Sequence, residues 1–241
     1  PDGPPVRPGY ALASYTAGIF SALGILAALF ERDRSGEGQE VDLALYEPLL
    51  RFSRDNLPAY QKVGDLRERT GNRSSIALLG LFETRDGRWM ALLAPENKDF
   101  ARLARAMGRE ELAHDPRFAT MVSRRENLAP LNELVANWVR GYDLPTVWEI
   151  LVQHEVPHSP VLDIQDIFED PHYQARGNLV EVEDPALGRV RMQDVVPKLS
   201  ASPGRVQSAG PALGQHNQEV YRSWLGLSEE ELRHLQEESV I

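Results

Sequence analysis

Residues 17–45 read AGIFSALGILAALFERDRSGEGQEVDLAL, and this stretch decides the predicted fold. The apolar run from Ala17 to Phe30 predicts a helix from about Tyr15 to Arg32 that is apolar on nearly all sides. The run is too short to span a bilayer and charged residues follow it directly, so we interpret it as a buried core helix. Gly18 and Gly24 would let a neighbouring element approach this helix closely.

A turn and a strand are predicted after this helix. The segment Ser35-Gly36-Glu37-Gly38 contains glycines of the kind that end helices. Residues 40–45 alternate apolar and polar side chains, which predicts a strand. Residues 46–64 have a helical pattern, with a break or kink at Pro58. A helix, a strand and a helix in this order favour an α/β fold with a parallel sheet.

A second region begins near Arg67. Its first signal is a β-hairpin, because two alternating segments flank Arg85-Asp86-Gly87. Three helices are predicted next, at about 97–107, 124–140 and 145–154. The middle helix carries an apolar stripe at helical spacing, which predicts a core face. The stripe consists of Leu128, Leu131, Leu134, Val135, Trp138 and Val139.

The last third of the chain mixes short elements with loops. A short helix is predicted over Asp163–Glu169, and two strands over Leu179–Val182 and Arg189–Gln193. A crossing rich in Pro, Gly and Ser follows from Ser200 to Gly214. The sequence Ser228-Glu229-Glu230-Glu231 has Ser first and Glu three residues later, which is a capping box and predicts a final helix.

The composition fits a globular protein and argues against several classes of function. Hydrophobic residues make up 42% of the 241 residues, and charged residues 26%. The formal net charge of −10 argues against nonspecific nucleic-acid binding, which requires Lys and Arg to neutralise phosphates. There is no Cys, and the six His residues show no metal-ligand spacing, so no metal site is predicted. We expect a cytoplasmic protein without a membrane partner. The opening Pro1-Asp2-Gly3-Pro4-Pro5, without Met, predicts a piece of a longer chain.

Five strings in order along the chain carry a family resemblance. They are 24–32 (GILAALFER) with 35–42 (SGEGQEVD), 69–72 (RTGN) with 82–89 (FETRDGRW), 115–120 (DPRFAT) with 125–127 (REN), 170–177 (DPHYQARG), and 211–220 (PALGQHNQEV). Together they resemble the class III (CaiB/BaiF-type) CoA-transferase family, and the resemblance covers essentially the whole chain.

This resemblance implies an α/β architecture with a partial Rossmann-like large domain and a small α+β domain. Residues 1–65 and 166–241 would belong to the large domain, and residues 66–165 would form the small one. Complete family members have a long N-terminal segment that supplies much of the CoA site. Two such chains interlock ring-through-ring as a homodimer. The chain is therefore expected to be the C-terminal part of a CoA-transferase.

Ser14 is the principal candidate for the catalytic position. In similar transferases an aspartate in a Gly-Asp-x-x-x-Gly pattern precedes the apolar helix, and its carboxylate attacks the acyl-CoA thioester to give a mixed anhydride. The matching string is 13–18 (ASYTAG), which keeps Gly18 and has Ser14 in place of the aspartate. A serine hydroxyl is a weak nucleophile without an adjacent base, so the usual mechanism is in doubt. Ser14 is equally a candidate N-cap of the helix.

Glu47 is the weaker catalytic candidate. It follows the predicted strand, at the end where ligands of α/β proteins collect, and its carboxylate is a possible substitute for the aspartate. The alternative is a capping or surface role. Tyr15, which follows Ser14, and Leu45, two residues before Glu47, are expected to contact substrate.

Gly80 is the third expected substrate-binding residue. By resemblance, oxalate-using transferases have a glycine-rich loop after the Gly71-Asn72 position, and it covers the acyl intermediate. Here the segment 73–80 reads RSSIALLG, with Gly80 alone remaining, which argues against formyl or oxalate specificity. Nearby, Arg67, Arg69 and Arg73 form a local basic cluster. This cluster would either bind the phosphates of CoA or form a solvent-exposed face of the linker.

The leading hypothesis is an enzyme that processes acyl-CoA, transferring CoA between carboxylic acids. Its substrates would be an acyl-CoA thioester and a carboxylic acid, with no bound cofactor, metal or nucleic acid. One alternative is an enzyme similar to 2-methylacyl-CoA racemases, which share the fold and use acid and base groups. The other is a non-catalytic family member that binds a CoA ligand or acts as a partner subunit, and the serine at position 14 favours it.

Overall fold

The structure is a computed structural model that describes residues 3–241. The chain divides into two compact units, the first ending at Pro160 and the second comprising Val161–Ile241. Pro1 and Asp2 lie outside the described residues.

The first unit opens with the long helix α1, Leu12–Ser35. It begins earlier than predicted because backbone bonds close a turn before Tyr15: the Leu12 N–H donates to the Tyr10 carbonyl, and the Tyr15 N–H to the Ala11 carbonyl. Ser14 therefore lies inside the helix, and the prediction that it is the N-cap is wrong. Helix α1 ends as predicted, at Gly36, whose φ of 81° is left-handed.

Helix α1 is not the buried core helix that its composition predicts. Thr16 and Ala17 are buried, whereas most of its large apolar side chains are exposed. Its aromatic contact is the edge-to-face pair of Phe20 with Phe52, whose ring centroids lie 6.2 Å apart. Phe52 follows the five-residue helix α2, Glu47–Arg51, and so short a helix covers only one side of a 24-residue helix.

Residues 40–45 do not form the predicted strand. They lead without regular structure into a turn before α2, and α3 follows at Asn56–Val63 with Pro58 in its first turn. Among residues 3–241 no strand lies beside them, and strand backbone needs a neighbour to satisfy its hydrogen bonds. Val41 instead packs against Gly24 of α1, where a Cβ would lie 3.0 Å from Val41 Cγ1, while Gly18 faces open space.

The rest of the first unit contains an antiparallel sheet of three strands in the order β1, β2, β3. The strands are β1, Leu79–Glu83; β2, Trp89–Leu93; and β3, His158–Pro160. The predicted hairpin joins β1 to β2, with Gly87 at a φ of 76°. The sequence does not predict β3, since three residues ending in proline are too few for an alternating pattern. All strand pairs in the described part of the chain are antiparallel, so the parallel sheet is not found there.

Four helices pack around this sheet. They are α4, Asn97–Ala106; α5, Met121–Glu126; α6, Leu128–Arg140; and α7, Leu144–Gln153, with a 3₁₀ turn at Glu110–Ala113. The apolar stripe of α6 is confirmed as a core face, because Leu131, Val135 and Val139 are fully buried. The predicted helix 124–140 is divided at Asn127, which follows α5 and directly precedes α6.

A buried arginine, Arg124 of α5, fixes the loops around this core. Its guanidinium donates to the carbonyls of Phe118 and Pro95 and to the Asn97 side chain, each at 2.9 Å. It also lies 4.8 Å from the ring centroid of Phe100. Burial lowers the pKa of Arg124, and the three acceptors compensate the cost of holding the cation inside.

The second unit contains short elements arranged around a hairpin. They are α8, Ile164–Glu169; α9, Pro171–Ala175; β4, Leu179–Asp184; β5, Gly188–Gln193; a π-helix, Gln218–Trp224; and α10, Glu229–Glu237. The predicted strands pair antiparallel as β4 and β5. The predicted capping box is present, since the Ser228 hydroxyl accepts from the Glu231 N–H and the Glu231 carboxylate accepts from the Ser228 N–H.

Candidate active site

The first turn of α1 presents Ser14 and Tyr15 to solvent. Ser14 is the third helical residue and is exposed, and the Tyr15 side chain is 68% exposed. Thr16 beside them is buried and donates its hydroxyl to the Leu12 carbonyl at 2.8 Å and to the Ala13 carbonyl at 3.0 Å. Thr16 thus ties the first turn together. No sequence pattern predicts this role, because a threonine in an apolar helix can have many roles.

The surroundings of Ser14 do not activate it. Within the described chain its Oγ has no hydrogen-bond partner, so no histidine or carboxylate is placed to remove its proton. The first turn of α1 contains no acidic residue. The position itself favours negative charge, because helix N-termini carry unsatisfied N–H groups and the positive end of the helix dipole. The start of α1 therefore favours a negative charge at position 14, where this chain has a neutral hydroxyl.

Glu47 has a local structural role at the start of α2. Its Oε2 accepts from the Ala44 N–H at 2.7 Å, and its own N–H donates to the Ala44 carbonyl at 3.1 Å. This reciprocal pair closes the turn that contains Leu45, whose side chain is 58% exposed. Glu47 is exposed, and no hydrogen bond connects it to Ser14 within residues 3–241.

Gly80 is buried on β1 beneath a doubled-back segment of chain. The Leu81 N–H donates to the Asn72 carbonyl at 2.9 Å, and the Ser74 N–H donates to the Leu79 carbonyl at 2.8 Å. Arg73 and Gly80 thereby form an isolated antiparallel β-bridge. A Cβ at Gly80 would lie 2.9 Å from the Asn72 oxygen. A glycine is required here because the backbone at Asn72 and Arg73 passes too close for a side chain.

The three arginines near position 70 do not converge on one site. Arg67 pairs with Asp55 at 2.6 Å, Arg69 donates to the Gly3 carbonyl, and Arg73 lies 5.3 Å from the ring centroid of Phe82. Of the three, Arg69 lines an open groove of about 650 Å³ between residues 3–6 and 68–72. The structure does not bring the cluster together as one phosphate site.

Carboxyl groups with shifted pKa values lie in turns and caps. The pKa of Asp115 is lowered to about 2, first by hydrogen bonds from the Arg117 side chain and then by the Arg117 backbone N–H. The Arg117 Nη2 lies 2.6 Å from Asp115 Oδ2. This pair belongs to the string 115–120 and closes a turn, so it is a structural feature of that string.

Neither a metal-ligand cluster nor a membrane-spanning helix identifies a further site in the part of the chain that the structure describes. In the described residues no group of three His, Asp or Glu side chains is placed to hold a metal ion. Helix α1 is long and apolar enough to cross a membrane by length and composition, a test that core helices of soluble proteins also pass.

Comparison with known proteins identifies the scaffold. The family model "CoA-transferase family III" matches residues 1–217. The chain belongs to this family. It is 44% identical over 242 residues to succinyl-CoA–D-citramalate CoA-transferase of Chloroflexus aurantiacus, covering 100% of this chain and 60% of the relative. It is 40% identical over 245 residues to the beta subunit of succinyl-CoA–L-malate CoA-transferase of the same organism, with the same coverage.

A solved structure supports the same assignment for this family III chain. A CaiB/BaiF family protein from Brucella suis matches with a TM-score of 0.73 and 28% identity, over 92% of this chain and 58% of that one. The predicted family and the mixed helix-and-sheet fold class are thereby confirmed. The chain spans about 60% of the length of the curated relatives described above.

Proposed function

We propose that this family III chain forms part of an enzyme that transfers CoA between carboxylic acids, with an acyl-CoA thioester and a free carboxylate as substrates. The supporting observation is the family match over residues 1–217 together with relatives at 40–44% identity that are named CoA-transferases. Both relatives are named for succinyl-CoA, so a short dicarboxylic acyl group is the donor class we propose.

The finer architecture is part of the same proposal. Residues 1–65 and 166–241 would serve the large domain and residues 66–165 the small one. The complete protein would be an interlocked homodimer in the cytoplasm, with no bound cofactor. Tyr15, Leu45 and Gly80 are proposed to border the substrate site.

The serine at position 14 leads to a specific mechanistic proposal. Ser14 Oγ has no base within the described residues, and the Glu47 carboxylate is held by the Ala44 N–H. We infer that neither forms the covalent intermediate and that the acceptor acid itself supplies the carboxylate. Its oxygen attacks the thioester carbonyl, the CoA thiolate leaves, and a mixed anhydride of the two acids forms. The thiolate then attacks the acceptor acyl carbon, and the donor acid leaves as a carboxylate with the bridging oxygen.

In this scheme the start of α1 contributes electrostatics and positioning. The thioester oxygen gains negative charge as the acceptor attacks, and helix N-termini stabilise such charge. The Ser14 hydroxyl, at the third position of the helix, is proposed to donate a hydrogen bond to a substrate oxygen. Both substrates must then bind together, because no acyl group is stored on the protein.

An oxygen-labelling experiment tests the proposal. The complete protein that contains this chain is mixed for a single turnover with succinyl-CoA and an ¹⁸O-labelled dicarboxylate, and both products and the intact protein are analysed by mass spectrometry. Direct exchange places one ¹⁸O in the released succinate and none in the protein. Label in the protein, or an acyl adduct on Ser14 or Glu47, would contradict the direct route. Absence of any transfer would contradict the enzymatic proposal and favour the non-catalytic alternative.

A further inference from the structure

The second unit contains a cavity that the proposed function does not use. It has a volume of about 410 Å³, within the range of small-molecule sites, and lies between the helices α8 and α9 and the hairpin β4–β5. Its apolar lining includes the half-buried side chains of Ile167, Phe168, Leu179 and Met192. These residues belong to one unit, so the cavity is defined by the second unit alone.

Arg191 on the cavity edge lacks the ion pair that its position in the sheet would give it. The strand register places it directly opposite Glu181, where opposite charges usually pair. However, the Glu181 carboxylate lies 3.4 Å from Arg189, which also contacts Glu183 at 3.0 Å. The Arg191 guanidinium lies instead 4.8 Å from the ring centroid of Phe168. Within residues 3–241 it makes no ion pair.

The other polar groups of the cavity leave this positive charge uncompensated. Asp194 also lines the cavity, but its carboxylate lies 3.1 Å from the Lys198 ammonium. A hydrogen bond from the Val195 backbone and that lysine lower the pKa of Asp194. Tyr173 completes this side with a hydroxyl that bonds to no described residue. Among residues 3–241, the cavity therefore has an apolar lining and, at its edge, one cation without an ion pair, in a chain of net charge −10.

We propose that this cavity binds a small carboxylic acid with an apolar body. A guanidinium stacked on an aromatic ring is pre-positioned, and its planar fork matches both oxygens of a carboxylate. The apolar body of the acid would lie against Phe168, Leu179 and Met192. This site goes beyond the proposed function and does not depend on it, because binding is expected whether or not the chain transfers CoA.

The methionines of the chain provide the assay. The chain contains four methionines, and Met192 is the one that lines the cavity. With the methionine methyl groups ¹³C-labelled in the full chain, octanoate is titrated while their NMR signals are followed. The Met192 signal should shift and saturate. Met90, fully buried in the first unit, and Met121, 51% exposed there, should stay unchanged.

Substitutions on the same face of the hairpin β4–β5 make the test specific. Arg191→Ala should weaken octanoate binding at least about tenfold, the scale of a lost charge-assisted hydrogen bond, while octanol binding changes little. Arg191→Lys should recover part of the affinity. The matched control is Arg189→Ala combined with Glu181→Ala, which removes the neighbouring exposed arginine together with the carboxylate that would otherwise be freed to pair with Arg191. The octanoate affinity of this double variant should equal that of the wild type.

Three outcomes would overturn the proposal. A Met121 shift parallel to that of Met192 would show that octanoate acts as a surfactant. Equal octanoate affinity in Arg191→Ala and the wild type would remove the role of the guanidinium. A Met192 signal insensitive to octanoate, but shifted on dilution of the protein, would show that a segment of a second chain occupies the cavity. The Met192 chemical shift of each free variant reports whether the hairpin is folded.

Discussion

Restoring a carboxylate at position 14 should both stabilise α1 and create a covalent intermediate. Ser14 is exposed, is the third residue of α1, and has no acidic neighbour in that turn to repel a new charge. An acidic side chain there gains about 0.5 kcal/mol from the helix dipole, so Ser14→Asp should raise the melting temperature of the chain by about 1–2 °C. Ser14→Asn, which has the same shape without the charge, should not give this increase.

The helix dipole also determines how the stabilisation by Ser14→Asp depends on pH and on salt concentration. The helix N-terminus favours the ionised form and lowers the pKa of the new aspartate, so the gain is present at neutral pH and is lost as the pH falls through that lowered value. At about 1 M salt the Debye length shrinks to about 3 Å, and the difference between the Asp and Asn variants should shrink with it. Equal melting temperatures for the two variants at low salt would refute the reasoning.

The chemical consequence is tested with the same substitutions in the complete protein. In Ser14→Asp the new carboxylate is expected to attack the thioester of succinyl-CoA, releasing CoA thiolate and leaving an acyl anhydride on residue 14 that hydroxylamine converts to a hydroxamate. Peptide mass spectrometry should find this product in Ser14→Asp and not in Ser14→Asn or the wild type. If the product appeared in all three proteins, the nucleophile would be another residue.

Three further effects should be measurable by denaturant or thermal unfolding. Arg124→Met leaves buried carbonyl acceptors unpaired and should lower the unfolding free energy by about 2–3 kcal/mol. A loss no larger than that of a typical surface substitution would contradict the structural role of Arg124. Gly80→Ala should lower the unfolding free energy by about 1–3 kcal/mol, because the new Cβ clashes with the Asn72 oxygen. Gly18→Ala, in open space inside α1, should raise the unfolding free energy by about 0.5–1 kcal/mol. A similar effect of both substitutions would rule out the close approach at Gly80. Because the pKa of Asp115 is lowered to about 2, the stability that this carboxylate contributes should be present above its pKa in the unfolded chain, near about 4, and should be lost as the pH falls to about 2. Asp115→Asn should therefore flatten the dependence of the unfolding free energy on pH in that window. An unchanged pH dependence would exclude a stabilising pair with Arg117.

Local features of the fold were predictable from sequence because a few adjacent residues determine them. The hairpin around Asp86-Gly87 and the capping box at Ser228 depend on turn and cap chemistry within four or five residues, and both are confirmed. The α6 stripe follows from periodicity, since one face of that helix meets the sheet. Gly36 ends α1 because glycine readily adopts the left-handed backbone conformation of a helix C-terminus.

Features that depend on a distant partner were not predictable. Residues 40–45 have the alternation of a strand but no neighbour to pair with, and the apolar sides of α1 lack a cover in the described chain. Arg124 stands next to Arg125, and sequence alone does not show which of the two is buried; the contacts to Phe118 and Pro95 decide it. The position of Ser14 was inferred from resemblance, and its lack of a base is visible only in three dimensions.

The exposure of α1 determines how the 241-residue chain will behave at the bench. Ile19, Leu23, Leu26 and Phe30 are each more than 60% exposed along one helix. Large contiguous apolar surface of this kind drives association in solution. We therefore expect the isolated chain to bind phenyl resin strongly, to elute as aggregates in simple buffers, and to become monodisperse in mild detergent. Polar replacements at Leu23 and Leu26 would give a more tractable sample for the NMR titration without altering the second unit.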